Sequence, residues 1–374
     1  MTSVDNPFAP GFGTQPPLLA GRDGLLRRIA SAMAAGPRHP DSTLVIIGAR
    51  GTGKTVLLNA AESEGRSRGW AAIVVSASEE GGLTWNVASA ASDPARWPGQ
   101  WRQQAVGFET DVRGRPPPGE SGRQTLRAAL TTMAEAAAGR DAGVLITVDE
   151  LQAADVEDAR TFANAIQHVA RREQRPVMFI GAGLPEVEDT VLADDGITFF
   201  QRCRRSAIGP ISDENVRIAV ERPIIDAGGW IESTALAAAV AAASGYPFMV
   251  QLIGFHAWEH SPDPKSGIKA EAMAAGLADA SDEMVNLVIK PVWKRLSDAD
   301  RRFLQAMARD SGDSSTSDIA TRLAKPPPHV GVYRSRLIRA GVIISAGHGR
   351  VRFTHEALRT WLRSRGGDAG PADD

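Results

Sequence analysis

A chain of 374 residues with 43% hydrophobic and 23% charged content is long enough for two or three domains, each with its own core. Its formal net charge of -2 excludes a global pull toward nucleic acid or membrane, so any such partner has to be met by a local patch. A single cysteine, Cys203, excludes an internal disulfide, fits a reducing cytoplasm and is given no chemical role.

Residues 1–17 are polar and rich in Pro and Gly, without the basic and apolar regions of a secretory signal. They read as an extended arm of a cytoplasmic protein. Leu18–Asp23 leads into the helical pattern LLRRIASAM, so that residues 1–40 read as arm plus first helix. An arm in this place packs over an adenine. That puts Arg22 near the base or the helix start, or else leaves it an ordinary solvated arginine.

Leu44–Thr55 is a short β-type run ending in Gly48-Ala49-Arg50-Gly51-Thr52-Gly53-Lys54-Thr55, which meets every fixed position of the Walker A pattern. Glycines let successive N–H groups face a phosphate, and a helix starting near Lys54 adds its positive end. Lys54 then reaches the β- and γ-phosphates, and the Thr55 hydroxyl binds Mg2+. The expected ligand is a nucleoside triphosphate.

Trp70–Ala77 is a second buried strand, followed by a helical stretch from Leu83 to about Trp97. Pro98–Gly122 is rich in Pro, Gly and Arg and reads as a surface loop. No basic residues alternate with Trp85, Trp97 and Trp101, which therefore read as local core rather than a base-stacking platform. A helix is expected over Arg123–Ala138. Gly143–Glu150, GVLITVDE, is an apolar run closed by two carboxylates, the Walker B arrangement. At the tip of another buried strand, Asp149 is expected to hold Mg2+ through water and Glu150 to orient and deprotonate the attacking water.

A helix over 155–172, a strand over 176–180 and a turn Gly181-Ala182-Gly183-Leu184-Pro185 complete an alternating α/β pattern. Such a pattern predicts a parallel sheet with helices on both faces and a ligand at the carboxyl ends of the strands. Arg202, Arg204 and Arg205 precede or enter a last short strand. One of them stabilises the γ-phosphate charge of a neighbouring subunit, or together they form a solvated basic rim.

Residues 41–210 thus form the nucleotide-binding core, and 211–296, wholly helical in pattern, a small lid. The apolar stretch Ala235–Trp258 is broken at Ser244-Gly245-Tyr246-Pro247 and reads as two buried helices rather than a membrane span. Residues 297–365 show three helical patterns and a hairpin, a winged helix-turn-helix order, with 366–374 a disordered tail. That module holds 13 Lys and Arg against 6 Asp and Glu. Arg334, Arg336 and Arg339 on the expected recognition helix, with His348, Arg350 and Arg352 in the wing, point to duplex DNA; a winged helix used for protein contacts is the alternative.

With both phosphate motifs, a lid and a winged helix in this order, the chain resembles the origin-recognition and Cdc6-like initiator clade of AAA+ ATPases. It also looks like the signalling ATPases of the STAND class. The resemblance implies the AAA+ fold, ATP with Mg2+, a nucleotide-dependent homo-oligomer, and Arg202 as the arginine finger. Two departures follow. No polar sensor 1 side chain follows Ile180, which implies slow hydrolysis. A sensor 2 arginine is not evident, and in its place stands Gly245-Tyr246-Pro247, similar to the G-x-P motif by which the STAND class sets a proline, here Pro247, near adenine. The leading expectation is an ATP-binding switch with DNA as output. A signalling or defence ATPase, and a loader ATPase acting on a protein partner, stay open beside it.

Overall fold

The computed structural model describes residues 5–11, 13–99, 101, 120–137 and 141–366. Most of the expected surface loop and the C-terminal tail, residues 367–374, lie outside them. The chain divides into two compact units, one of residues 22–48 and 54–208, the other of residues 1–21, 49–53 and 209–374.

The first unit is built on five parallel strands: β1 (Thr43–Ile47), β2 (Ala71–Ser76), β3 (Val144–Asp149), β4 (Val177–Gly183) and β5 (Arg204–Ala207). Their order is β2-β3-β4-β1-β5. β1 and β4 are buried along their whole length, as a parallel sheet covered on both faces requires, and so they read as unbroken apolar runs. β5 is an edge strand with two exposed arginines, which discourages pairing with another chain. Helices α1 (Asp23–Ala35), α2 (Lys54–Ser67), α3 (Leu83–Ser92), α4 (Glu120–Ala137), α5 (Val156–Gln167) and α6 (Thr198–Gln201) complete the unit. Phe179 of β4 packs 5.7 Å from the rings of Phe162, Phe199 and Phe200, which ties α5 and α6 to the sheet. Trp97 and Trp101 are buried in the same core.

One expectation is revised here. Gly181-Ala182-Gly183 is not a turn but the end of β4, paired with Val45, Ile46 and Ile47 of β1. The arm lies in one unit and the first helix in the other.

The second unit begins with α7 (Asp213–Asp226), α8 (Ser233–Ala243), α9 (Pro247–Glu259), α10 (Ala270–Met284) and α11 (Lys290–Arg295). The N-terminal arm belongs to it. Phe8 is buried against Gly254 of α9, where an added Cβ would stand 2.4 Å from the ring, and Asn6 donates to the Phe255 carbonyl at 3.1 Å. α12 (Asp298–Ala308), β6 (Ser314–Ser315), α13 (Thr316–Leu323), α14 (Pro327–Arg339), β7 (Ile343–Ser345), β8 (Arg350–Phe353) and α15 (Glu356–Gly366) follow. Three helices with an antiparallel sheet ordered β6-β8-β7 make this a winged helix, with the two-residue β6 and α15 added to the expected pattern. Lid and winged helix share one continuous core, in which Trp293 of α11 meets Trp361 of α15 edge to face at 5.3 Å. Among the described residues no helix is long and apolar enough to cross a membrane.

His355, just before α15, lies with its ring 3.8 Å from that of Tyr246, and among the described residues its Nδ1 is sealed from solvent without a hydrogen-bond partner. Burial pushes its pKa down to about 3. The unfolded chain therefore takes up a proton near pH 6.5 that the folded one refuses. Stability is complete above that pH and falls as the pH drops toward 3, by up to about 1.4 kcal/mol per pH unit for one proton. Urea unfolding between pH 7 and 4.5, above the carboxylate range, is expected to show this slope, and His355→Leu to flatten it.

Candidate nucleotide site

The phosphate motif lies between β1 and α2. Gly51 and Gly53 take φ of +71° and +92°, conformations that side chains resist, so the spacing of these glycines is a backbone requirement. The Thr52 hydroxyl donates to the Ala49 carbonyl at 2.8 Å, closing the bend. Lys54 opens α2, and its Nζ donates to the Gly48 carbonyl at 2.9 Å.

β3 lies one strand away from β1, across β4, so its carboxyl end reaches the same edge of the sheet. There the Thr55 hydroxyl donates to Asp149 Oδ2 at 2.5 Å. A helix brings residues i and i+7 to one face, and a strand does so for i and i+2. The next pair in register is accordingly Glu62 and Thr147, whose hydroxyl donates to Glu62 Oε1 at 2.7 Å. Burial raises the Glu62 pKa, opposed by the Thr147 hydrogen bond and the charge of Arg66. Glu62 went unread in the sequence, where a carboxylate on the inward face of an amphipathic helix was the available signal.

Glu150 follows in the left-handed region at φ +51°, and its N–H donates to Asp149 Oδ1 at 2.8 Å. Gln152, also unread in the sequence, donates from Nε2 to Glu150 Oε2 and accepts the Leu184 N–H at 2.9 Å. The hydroxyl of Thr55 and the carboxylate of Asp149 are hard oxygen donors of the kind Mg2+ takes, one or two from protein and the rest from phosphate and water. Among the described residues no group of three His, Cys, Asp or Glu is placed to hold a metal ion.

Of the three arginines near β5, Arg204 lies 3.5 Å from Asp41 and Arg205 3.6 Å from Glu188. Arg202 is exposed after α6, and among the described residues its side chain has neither ion pair nor hydrogen bond. Cys203 beside it is buried, its thiol pushed up to about 12 by burial, and is chemically quiet. Arg22 is the residue before α1, and burial lowers its pKa.

The P-loop bend, residues 49–53, groups with the helical unit. The Tyr246 hydroxyl donates to the Arg50 carbonyl at 2.6 Å, and burial raises its pKa. A Cβ on Gly51 would stand 1.8 Å from that hydroxyl. Each residue of Gly245-Tyr246-Pro247 thereby has a physical reason. Gly245 takes φ +76° against the Ile211 carbonyl, Tyr246 reaches the bend, and Pro247 occupies the first turn of α9.

In the winged helix, Arg336, expected to face DNA, is turned instead to Asp300, with Nη2 at 2.6 Å and Nε at 2.9 Å from Oδ1 of an almost wholly buried carboxylate. The cause is local: an unpaired buried carboxylate costs more than one shielded arginine. Arg352 pairs with Asp313 at 2.5 Å, which holds the Asp313 carboxyl below the usual range. Arg334 donates to Ser345 Oγ, Arg339 to the Ser335 carbonyl and Arg350 to the Asp313 carbonyl.

Residues 18–180, which carry both phosphate motifs, match the family described as AAA ATPase domain. The chain contains a P-loop AAA+ ATPase domain. Residues 286–362 match a domain of unknown function, DUF8462. No curated protein matches the sequence. The fold is similar to that of the Walker-type ATPase PABY2304 of Pyrococcus abyssi, with TM-score 0.68 and 16% identity over 94% of this chain and 97% of that one. It is also similar to the ORC2 protein of Aeropyrum pernix in its ADPNP-ADP complexes, with TM-score 0.63 and 12% identity over 96% and 98%. The likeness to both is one of fold.

Tyr246→Phe leaves the Arg50 carbonyl without its donor and is expected to cost the AAA+ protein about 1 kcal/mol of stability. Gly51→Ala, strained at positive φ and blocked by the phenol, should cost more. Urea unfolding of the two variants ranks them.

Proposed function

We propose that the protein is an ATP-driven switch with slow hydrolysis, coupled to duplex DNA through its winged helix. The observation that carries the reading is the joining of Thr55, Asp149 and Glu150 at one sheet edge with a basic winged helix in the same chain. Lys54 and the N–H groups of 48–55 would bind the phosphates. Thr55 and Asp149 would hold Mg2+, which when bound neutralises phosphate charge, and Glu150 would accept the proton of the attacking water. The carboxyl end of β4 carries only Gly181, Ala182 and Gly183, and this supports a slow rate. The exposed Arg202 supports a finger that acts on the site of a second copy in a nucleotide-dependent oligomer. For Arg22 and Pro247 a place near adenine remains part of this reading.

The DNA face is assigned to Arg334, Arg339, Arg350 and Arg352. A guanidinium has five donors, and Arg334 and Arg350 each give one to a neutral oxygen, which leaves capacity for phosphates. Arg336 is assigned to the fold. A second reading, a signalling switch whose winged helix makes protein contacts, is favoured by the core that lid and winged helix share. A loader for a protein partner has the same ATP site.

Turnover of ATP by the purified protein, with and without duplex DNA, decides between these. DNA-stimulated turnover, lost in Lys54→Ala and Glu150→Gln, is expected; turnover indifferent to DNA, with a nucleotide-dependent change of size on gel filtration, would favour the signalling reading. Arg334→Ala with Arg339→Ala is expected to weaken DNA binding and lower its salt dependence while leaving melting unchanged. Arg336→Ala is expected to do the reverse, costing about 1–3 kcal/mol of stability as Asp300 loses its charged partner and keeps only the Ser297 hydroxyl.

A further inference from the structure

We propose that Gln152 is the positioning residue of the hydrolytic site, holding Glu150 in place of the polar side chain that β4 lacks. The proposal deepens the reading of Glu150 as the group that activates water and rests on it.

The orientation of the Gln152 amide follows from its partners. The Leu184 N–H can only donate, so the amide oxygen must face it, at 2.9 Å, and the amide nitrogen is left facing Glu150 Oε2. Leu184 directly follows β4, so Gln152 links the end of that strand to the carboxylate after β3. The glycines of β4 are part of the same arrangement. A Cβ on Gly183 would stand 3.0 Å from Gln152 Oε1, so a polar side chain on β4 there would press on the amide that does the holding.

Glu150 needs such support. Its backbone is left-handed, a conformation that a residue with a Cβ adopts only at a cost. The turn is kept by the Glu150 N–H on Asp149 Oδ1 and by the Ala153 N–H on the Glu150 carbonyl at 2.7 Å. These bonds fix the main chain but leave the side-chain torsions free. The Gln152 amide takes up one carboxylate oxygen and leaves Oε1 to accept a proton. Misplacing a reacting group by about 1 Å costs on the order of a hundredfold in rate, so this bond acts on turnover rather than on nucleotide affinity.

The test compares Gln152→Glu, which keeps an acceptor for the Leu184 N–H but sets a carboxylate against Glu150, with Gln152→Met, which loses both bonds. Steady-state ATP turnover, the Kd of a fluorescent ATP analogue and the melting midpoint are measured for each. The expected result is a fall in kcat of about tenfold or more in both variants, with KM and Kd within about twofold of wild type. In a Glu150→Gln background, Gln152→Met should change single-turnover rates no further. Wild-type kcat in Gln152→Glu, or an undiminished effect of Gln152→Met in the Glu150→Gln background, overturns the proposal alone. A wild type no faster than Glu150→Gln overturns the hydrolytic role of Glu150 and this proposal with it. Should Gln152→Met fail to fold, Gln152→Glu decides the matter.

Discussion

The contact between the Thr55 hydroxyl and the Asp149 carboxylate constrains everything around it. To bring a residue at the start of α2 against the tip of β3, the chain must lay β4 between β1 and β3, keep all strands parallel and put both loops at one edge. One helical face then meets one strand face twice, at Thr55 with Asp149 and at Glu62 with Thr147. The second pair sits deeper, and a carboxylate there is tolerated because it has a hydroxyl donor and Arg66 3.5 Å away. The outer pair is the one to which the proposed function gives ligand chemistry, and the inner one ties α2 to β3.

The helical unit follows a different logic. Lid and winged helix are joined by a core rather than by a tether, with Phe303 and Leu304 buried in it and Trp293 and Trp361 packed against it. Separating lid from winged helix would expose large aromatic side chains to water, so the two hold together. Arg336 and Asp300 contribute to the same rigidity within the winged helix, crossing from α14 to α12.

What could be read from the sequence depended on how local the requirement was. The P-loop glycines and the apolar strands before both acidic and phosphate motifs answer to their own neighbours, and these sites were legible. Lid and winged helix were legible as patterns of period and breaks, with the short β6 too brief to leave a trace. The Asp300 partner of Arg336 could not be read, because an arginine on a surface helix looks the same whether its partner is a phosphate or a carboxylate 36 residues earlier. Gly181 to Gly183 looked like a turn because small residues serve both a turn and a crowded strand end. Gln152 and Phe8 gave no sign, since each acquires meaning only from a partner that the fold supplies.

The docking of the arm on α9 has a consequence for synthesis. Asn6 and Phe255 are 249 positions apart, and the whole α/β unit is made between them. At about 5–20 residues per second, Phe8 waits roughly 12–50 s for the helix that buries it. The α/β unit is complete by Ile208 and is free to fold in that interval, so the niche at Gly254 is filled by a segment made well before the helix that holds it.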